Sequence, residues 1–293
     1  MEKPAELSRI CRTIKAALAA RSKILVPGLQ MILNLEPFMI RTIEAGIVLS
    51  FPVSILSFFV VTKKISFAAV SISHVTFGGV AIAIFIGGYL LPITMLFSIL
   101  ASLLMAFLFR MKIAKDSSIG IVFSSVMAFS IILISISKGY QTDITSYLFG
   151  NILMLTNSDI RMIVIVSAVV LIVVYKNFWK FMLSTFSEPI ADINGVSVKK
   201  TDYLFFALLG LIVSVGVKMI GIILLSSLLI LPASIGLNLS GRYRPVIVIS
   251  FLSAIGSMIT GIYLSWQLNL PTGASIASIA AVLFFITLPF KRR

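Results

Sequence analysis

Chemistry-bearing side chains are scarce in this chain, whose 293 residues include one cysteine, one histidine and ten acidic residues. The lone Cys11 excludes an internal disulfide and a thiolate metal site. A single histidine excludes the zinc helix of a metalloprotease, which needs two. Charge of either sign is also thin, at 12% of residues, about half the share found in soluble domains. No soluble domain of useful size remains once the apolar runs are set aside. The N-terminus lacks the small-residue cleavage site of a secretory signal, and its apolar part is broken by Pro27 and Asn34.

What the chain has instead is hydrophobic length. Apolar residues make up 59% of it, and the mean hydropathy is +1.12. A membrane span needs about 20 apolar residues. Runs of that kind lie near Ile43–Val61, Ser66–Ile86, Leu91–Phe109, Ile119–Ser137, Ile160–Tyr175, Tyr203–Val217, Met219–Asn238, Val246–Leu264 and Thr272–Phe290. The expected fold is all-α, a polytopic membrane protein of about 8–10 transmembrane helices.

The net charge of +14 does not point to nucleic acid, because no basic stretch is paired with a stacking platform. The bases fall in alternate loops: Lys63 and Lys64, Arg110 to Lys115, Lys176 to Lys200, Arg242 and Arg244, and the C-terminal Lys291 to Arg293. The other side holds Arg41, Lys138, Arg161 and Lys218. The positive-inside rule places the first set, and with it the C-terminus, in the cytoplasm. Residues 1–34 form a basic tail that nine spans would leave outside. Three readings of it stand: a further short apolar element over Ile24–Leu35, a basic helix on the membrane surface, or translation starting at Met31.

The one histidine, His74, lies within SFAAVSISHVTFGGVAIAIFI, residues 66–86, about eight residues from the cytoplasmic end. An ionisable group at that depth is a functional-site hypothesis by default. The bland alternative is a buried imidazole bonded to a carbonyl or to Ser71. Helical spacing puts Ser71 and Gly78 on the face of His74. Glu44 is the only acid well placed within a span, about 10 Å nearer the outside at 1.5 Å per residue. The seventh span, KMIGIILLSSLLILPASIG, carries Ser226 and Ser227 and should kink at Pro232. Its small residues suit close helix packing or a substrate path.

The longest cytoplasmic loop is expected between Lys176 and Asp202. In it, Ser187 can cap a short helix with Glu188 and Asp192 near its dipole-favoured end, and Gly195 can close it. It reads either as a solvated connector or as a docking helix for a partner. On the other side, KGYQTDITSYLFGNILMLTNSD, with Asp143 and Tyr147, could form a short segment at the outer mouth.

Taken together, five segments resemble one family in its order: SISHVTFGGVAIA, DITSYLFGNIL, EPIADINGVSV, VKMIGIILLSSLLILPASIG and LPTGASIASIAAVLFFI. The family is the membrane permeases of bacterial ABC importers for zinc, manganese or iron. The resemblance covers roughly residues 35–290 and implies a type II ABC importer-like permease fold over residues 35–293, with a coupling segment near 187–198. It implies a bacterial cytoplasmic-membrane location among lipid, a second copy of the chain or a close paralogue, and a cytoplasmic ABC ATPase dimer. An extracellular or periplasmic metal-binding protein would deliver the ion.

The cargo would be a divalent metal ion, with no cofactor bound permanently. ATP would sit on the partner, since no GxxxxGK[ST] phosphate loop occurs here. By the same resemblance, His74, Ser71, Gly78, Ser226, Ser227 and Glu44 line the path. Glu188, Asp192 and Gly195 couple to the ATPase, and Asp143 and Tyr147 mark the outer mouth. One departure stands out: the family's aspartate four residues before the histidine is Val70 here, so an i, i+4 carboxylate–imidazole chelate is lost. The competing classes are a proton- or sodium-coupled secondary transporter, which would want more acids in its spans, an ABC permease for a chelated metal, and an intramembrane enzyme, for which nothing ties His74 to Ser275.

Overall fold

The structure is a computed structural model that describes residues 37–111, 114–137 and 156–290. The basic tail and the segment with Asp143 and Tyr147 lie outside the described residues. All regular structure among the described residues is helical. The helices are α1 (Pro37–Thr62), α2 (Ser66–Ile86), α3 (Leu90–Leu108), α4 (Lys115–Ile136), α5 (Asn157–Phe186), α6 (Glu188–Ile193), α7 (Val198–Ile220), α8 (Ile222–Leu228), α9 (Leu231–Leu239), α10 (Tyr243–Leu268) and α11 (Thr272–Thr287). Nine segments among the described residues are long and apolar enough to cross a membrane, with α8 and α9 sharing one of them. The protein is a multi-pass membrane protein.

Three boundaries differ from the expected ones, each for a physical reason. The fifth helix does not stop at Tyr175 but runs on to Phe186. Lys176 and Lys180 end the hydropathy signal, yet Phe181 and Met182 remain buried between them and the helix end, so an amphipathic helix continues past the apolar run. At 30 residues and 1.5 Å per residue it spans about 45 Å, longer than the roughly 30 Å of hydrocarbon. The expected long loop therefore shrinks to α6 and its flanks. The sixth span continues through Lys218 and breaks at Gly221, where φ is +82°. The seventh span is interrupted, not merely kinked. Its helix stops at Leu229 and Ile230, and Pro232, which has no N–H to give, sits in the first turn of the restarted helix.

Helix α7 lies at the centre, packed on α3, α5 and α2. On one flank α2 also holds α3 and α4; on the other, α1 packs chiefly on α10 and α5 and hardly on α2. Helix α8 joins the flanks by touching both α11 and α2. Phe59 of α1, Phe178 and Phe181 of α5 and Phe205 of α7 form an aromatic cluster, with centroids of Phe59 and Phe181 5.6 Å apart and of Phe181 and Phe205 5.7 Å apart. This cluster sits near the end of the bundle that carries Lys63, Arg110 and Lys115, called the basic end below. The ends of α1, α3 and α5 and the starts of α4 and α7 meet there around one cavity.

A candidate translocation site and a docking segment

Most buried hydroxyls on these helices satisfy themselves. Ser50, Ser54, Ser73, Ser102 and Ser250 each donate to a backbone carbonyl four residues back, the usual solution for a polar group in an apolar helix. Ser71 does not. Its side chain is buried, at 3% exposure, and its Oγ has no hydrogen-bond partner among the described residues. Ser57, Thr94 and Ser167 share that condition, but only Ser71 lies one helical turn from the histidine.

His74 is half-buried on α2. Its ring stands edge-on to Phe123 of α4, with centroids 5.6 Å apart and planes at 87°. No hydrogen bond to either imidazole nitrogen is formed among the described residues. The alternative in which Ser71 satisfies the imidazole is therefore not what this geometry holds. An aromatic edge contact contributes about 0.5–1.5 kcal/mol, while unpaired polar groups in apolar surroundings cost about 1–3 kcal/mol each. The pair is thus left with capacity to bind.

Gly78, one turn further on, is where α2 meets its neighbours. A Cβ there would come within 2.6 Å of Val126 on α4 and 2.8 Å of Phe97 on α3. The face bearing Ser71, His74 and Gly78 is accordingly turned toward α4 and α3 within one chain. Ser226 and Ser227 lie on α8, which packs against α2, and both donate to the Ile223 carbonyl, at 2.8 and 3.0 Å. Glu44 is half-buried on α1, in the other flank of the bundle. The structure thus brings Ser71 and His74 onto one helix face, sets the two serines on a contacting helix, and leaves Glu44 apart. Among the described residues no cluster of three or more His, Cys, Asp or Glu is placed to hold a metal ion.

At the basic end, α6 forms as its sequence suggests. Ser187 Oγ accepts from the Ile190 N–H at 3.4 Å, and Glu188 occupies the first turn. Gly195 takes φ +70° just beyond the helix, where its N–H donates to the Asp192 carbonyl and that of Val196 to the Ala191 carbonyl. Only Ala191 of this helix is buried. Glu188 and Asp192 are exposed, as are Ile190 (52%) and Ile193 (86%).

Two ion-pair sites went unread in the sequence. Asp202, in α7, accepts from Lys63 at 2.9 Å and from Arg110 at 3.0 Å. Toward the opposite end, Asp159 accepts from Lys218 at 2.6 Å and closes a capping box with Thr156. The available signal was that each is an isolated acid in a chain nearly without them.

A sequence model of the ABC 3 transport family matches residues 35–291. The chain belongs to the ABC 3 transport family. Other proteins of similar sequence and fold carry more specific names. The manganese transport system membrane protein MntC of Listeria monocytogenes is 32% identical over 268 residues, covering 91% of this chain and 94% of that one. The manganese import system permease protein ScaB of Streptococcus parasanguinis is 32% identical over 264 residues, covering 89% and 92%. PsaBC from Streptococcus pneumoniae, solved in complex with a Fab, superposes with a TM-score of 0.78 at 27% identity, over 89% of this chain and 93% of that one. The matched range runs from α1 to α11, so Ser71, His74 and α6 all fall inside it.

Proposed function

We propose that this chain is the permease subunit of an ATP-driven importer of divalent metal ions, with manganese as its ion. A separate ATPase pair docks at α6, an extracellular metal-binding protein delivers the ion, and a second copy of the chain or a close paralogue completes the pathway. The basic end, and with it the C-terminus, faces the cytoplasm. The observation that carries this reading is the family match over residues 35–291, and the relatives named for manganese support the choice of ion.

The geometry fits that work. His74 and Ser71 offer one neutral nitrogen and one hydroxyl, donor types that manganese, zinc and iron accept from proteins. With Val70 in place of an acid, no negative charge sits on this helix face to hold a dication tightly. A site on a pathway has to be weak enough to leave as well as favourable enough to enter, and a pair without a carboxylate meets that demand. Ser226 and Ser227 add hydroxyls on α8, which packs against the helix that bears His74. At the cytoplasmic end, exposed Ile190 and Ile193 beside Glu188 and Asp192 make α6 a short amphipathic peg, and apolar surface of that kind is covered in a working assembly.

The test is uptake into vesicles holding the chain with a cognate ATPase and metal-binding protein. Manganese, zinc and iron are offered separately. ATP-dependent uptake, greatest for manganese, is expected. Uptake that needs a proton or sodium gradient and ignores ATP would replace this reading with a secondary transporter.

A further inference from the structure

The two helices that flank α6 are tied to the same lysine. Before α6, Ser184 on the last turns of α5 accepts from Lys63 Nζ at 3.1 Å. After it, Asp202 accepts from the same Nζ at 2.9 Å. The path from α6 to Asp202 is stiff. Gly195 closes α6, Ser197 caps α7 through the Lys200 N–H, and Thr201 donates back to the Ser197 carbonyl at 3.0 Å.

Lys63 sits in the turn between α1 and α2. The next residue, Lys64, is fixed in the left-handed region at φ +57°, and α2 begins at Ser66. His74 is eight residues further, about 12 Å along the helix. The second Asp202 oxygen accepts from Arg110, just beyond the end of α3, the helix that packs on the Gly78–Gly79 face of α2.

We propose that Asp202 is a positioning residue that couples displacement of α6 to the helix bearing His74, by clasping Lys63 and Arg110 on one carboxylate. The proposal rests on the permease reading above. The two cations are not equivalent. The Lys63 side chain is 11% exposed and that of Arg110 33%. Stripping Lys63 of its carboxylate would leave a nearly buried ammonium with only the neutral Ser184 hydroxyl, which is costly, so the α1–α2 turn follows Asp202 when α7 moves. Arg110 can let go into a cavity of ≈ 400 Å³ that Lys63, Arg110, Lys115, Ser187, Glu188 and Asp202 all line, and Asp202 keeps a counter-charge when it does. With one nearly buried partner, one more exposed partner and open space beside them, Arg110 can release while Lys63 stays paired.

The experiment uses the whole complex in vesicles with manganese ions, and reads ATP hydrolysed per ion imported. Asp202→Asn is expected to assemble with the ATPase and hydrolyse ATP at the unmutated rate while that ratio rises about tenfold. Asp202→Glu, which keeps the charge, should bring the ratio back to within about threefold. An Asp202→Asn complex that loses yield or melting temperature but keeps the unmutated ratio makes the clasp merely structural and overturns the proposal. If Asp202→Asn fails to assemble, Arg110→Gln decides, since it removes only the exposed partner. A ratio raised about twofold or more supports the proposal, and an unchanged ratio overturns it. An unmutated complex that imports no manganese with ATP overturns the permease reading itself, and the coupling proposal falls with it. An unmutated complex that works beside an unaltered Asp202→Asn overturns the coupling proposal alone.

Discussion

The two ends of the bundle solve the same problem differently. Toward one end Asp159 is nearly buried, its side chain 7% exposed. It meets a single lysine at 2.6 Å, and its second oxygen is taken up by the N–H and hydroxyl of Thr156 at 3.1 and 2.7 Å. Both oxygens are engaged and the start of α5 is pinned to α7. At the basic end Asp202 is 26% exposed, is shared between two cations from two different turns, and opens on a cavity. The first arrangement fixes a helix start. The second links three helix ends and leaves one link free to exchange. Ion pairing by itself therefore says little about role; the number of partners and the space beside them say more.

That contrast can be broken by mutation. The largest expected effect on stability is from Asp159→Ala, which leaves Lys218 without its carboxylate and removes the Asp159 half of the capping box. A loss of about 2–3 kcal/mol is expected, read as a lowered unfolding midpoint in detergent. ATP hydrolysed per ion should stay as in the unmutated complex. Thr156→Ala should cost about 1 kcal/mol in the same assay, the usual worth of a helix cap. Arg110→Gln should lie within about 0.5 kcal/mol in the melt and show its effect in coupling instead. A large stability loss at Arg110 with normal coupling, or altered coupling at Asp159, would erase the distinction between the two ends.

Much of the fold was open to reading because a lipid-spanning helix advertises itself by length and hydropathy. Ser66–Ile86 has the same limits in sequence and structure, and the cap at Ser187 with the turn at Gly195 followed from local chemistry that needs no partner. Hydropathy failed where helix and apolar run part company. Lys176 and Lys180 hide eleven further residues of α5, and Pro232 breaks a helix that composition alone treats as continuous. Pairings between distant turns were not legible at all. Nothing in the sequence near Asp202 names Lys63 or Arg110 as its partners, since they lie 139 and 92 residues away. At the candidate site the sequence singled out His74, Ser71 and Gly78 together through helical spacing. That this face turns toward α4, with Phe123 against the imidazole, required the packing of three helices to be known.

A metal path past His74 is tested most directly by manganese uptake of the reconstituted complex carrying His74→Ala. Loss of the imidazole leaves the unpaired Ser71 hydroxyl alone on that helix face. Uptake is expected to fall about tenfold or more, with ATPase assembly unchanged. Uptake equal to that of the unmutated complex would remove His74 from the pathway and contradict the account.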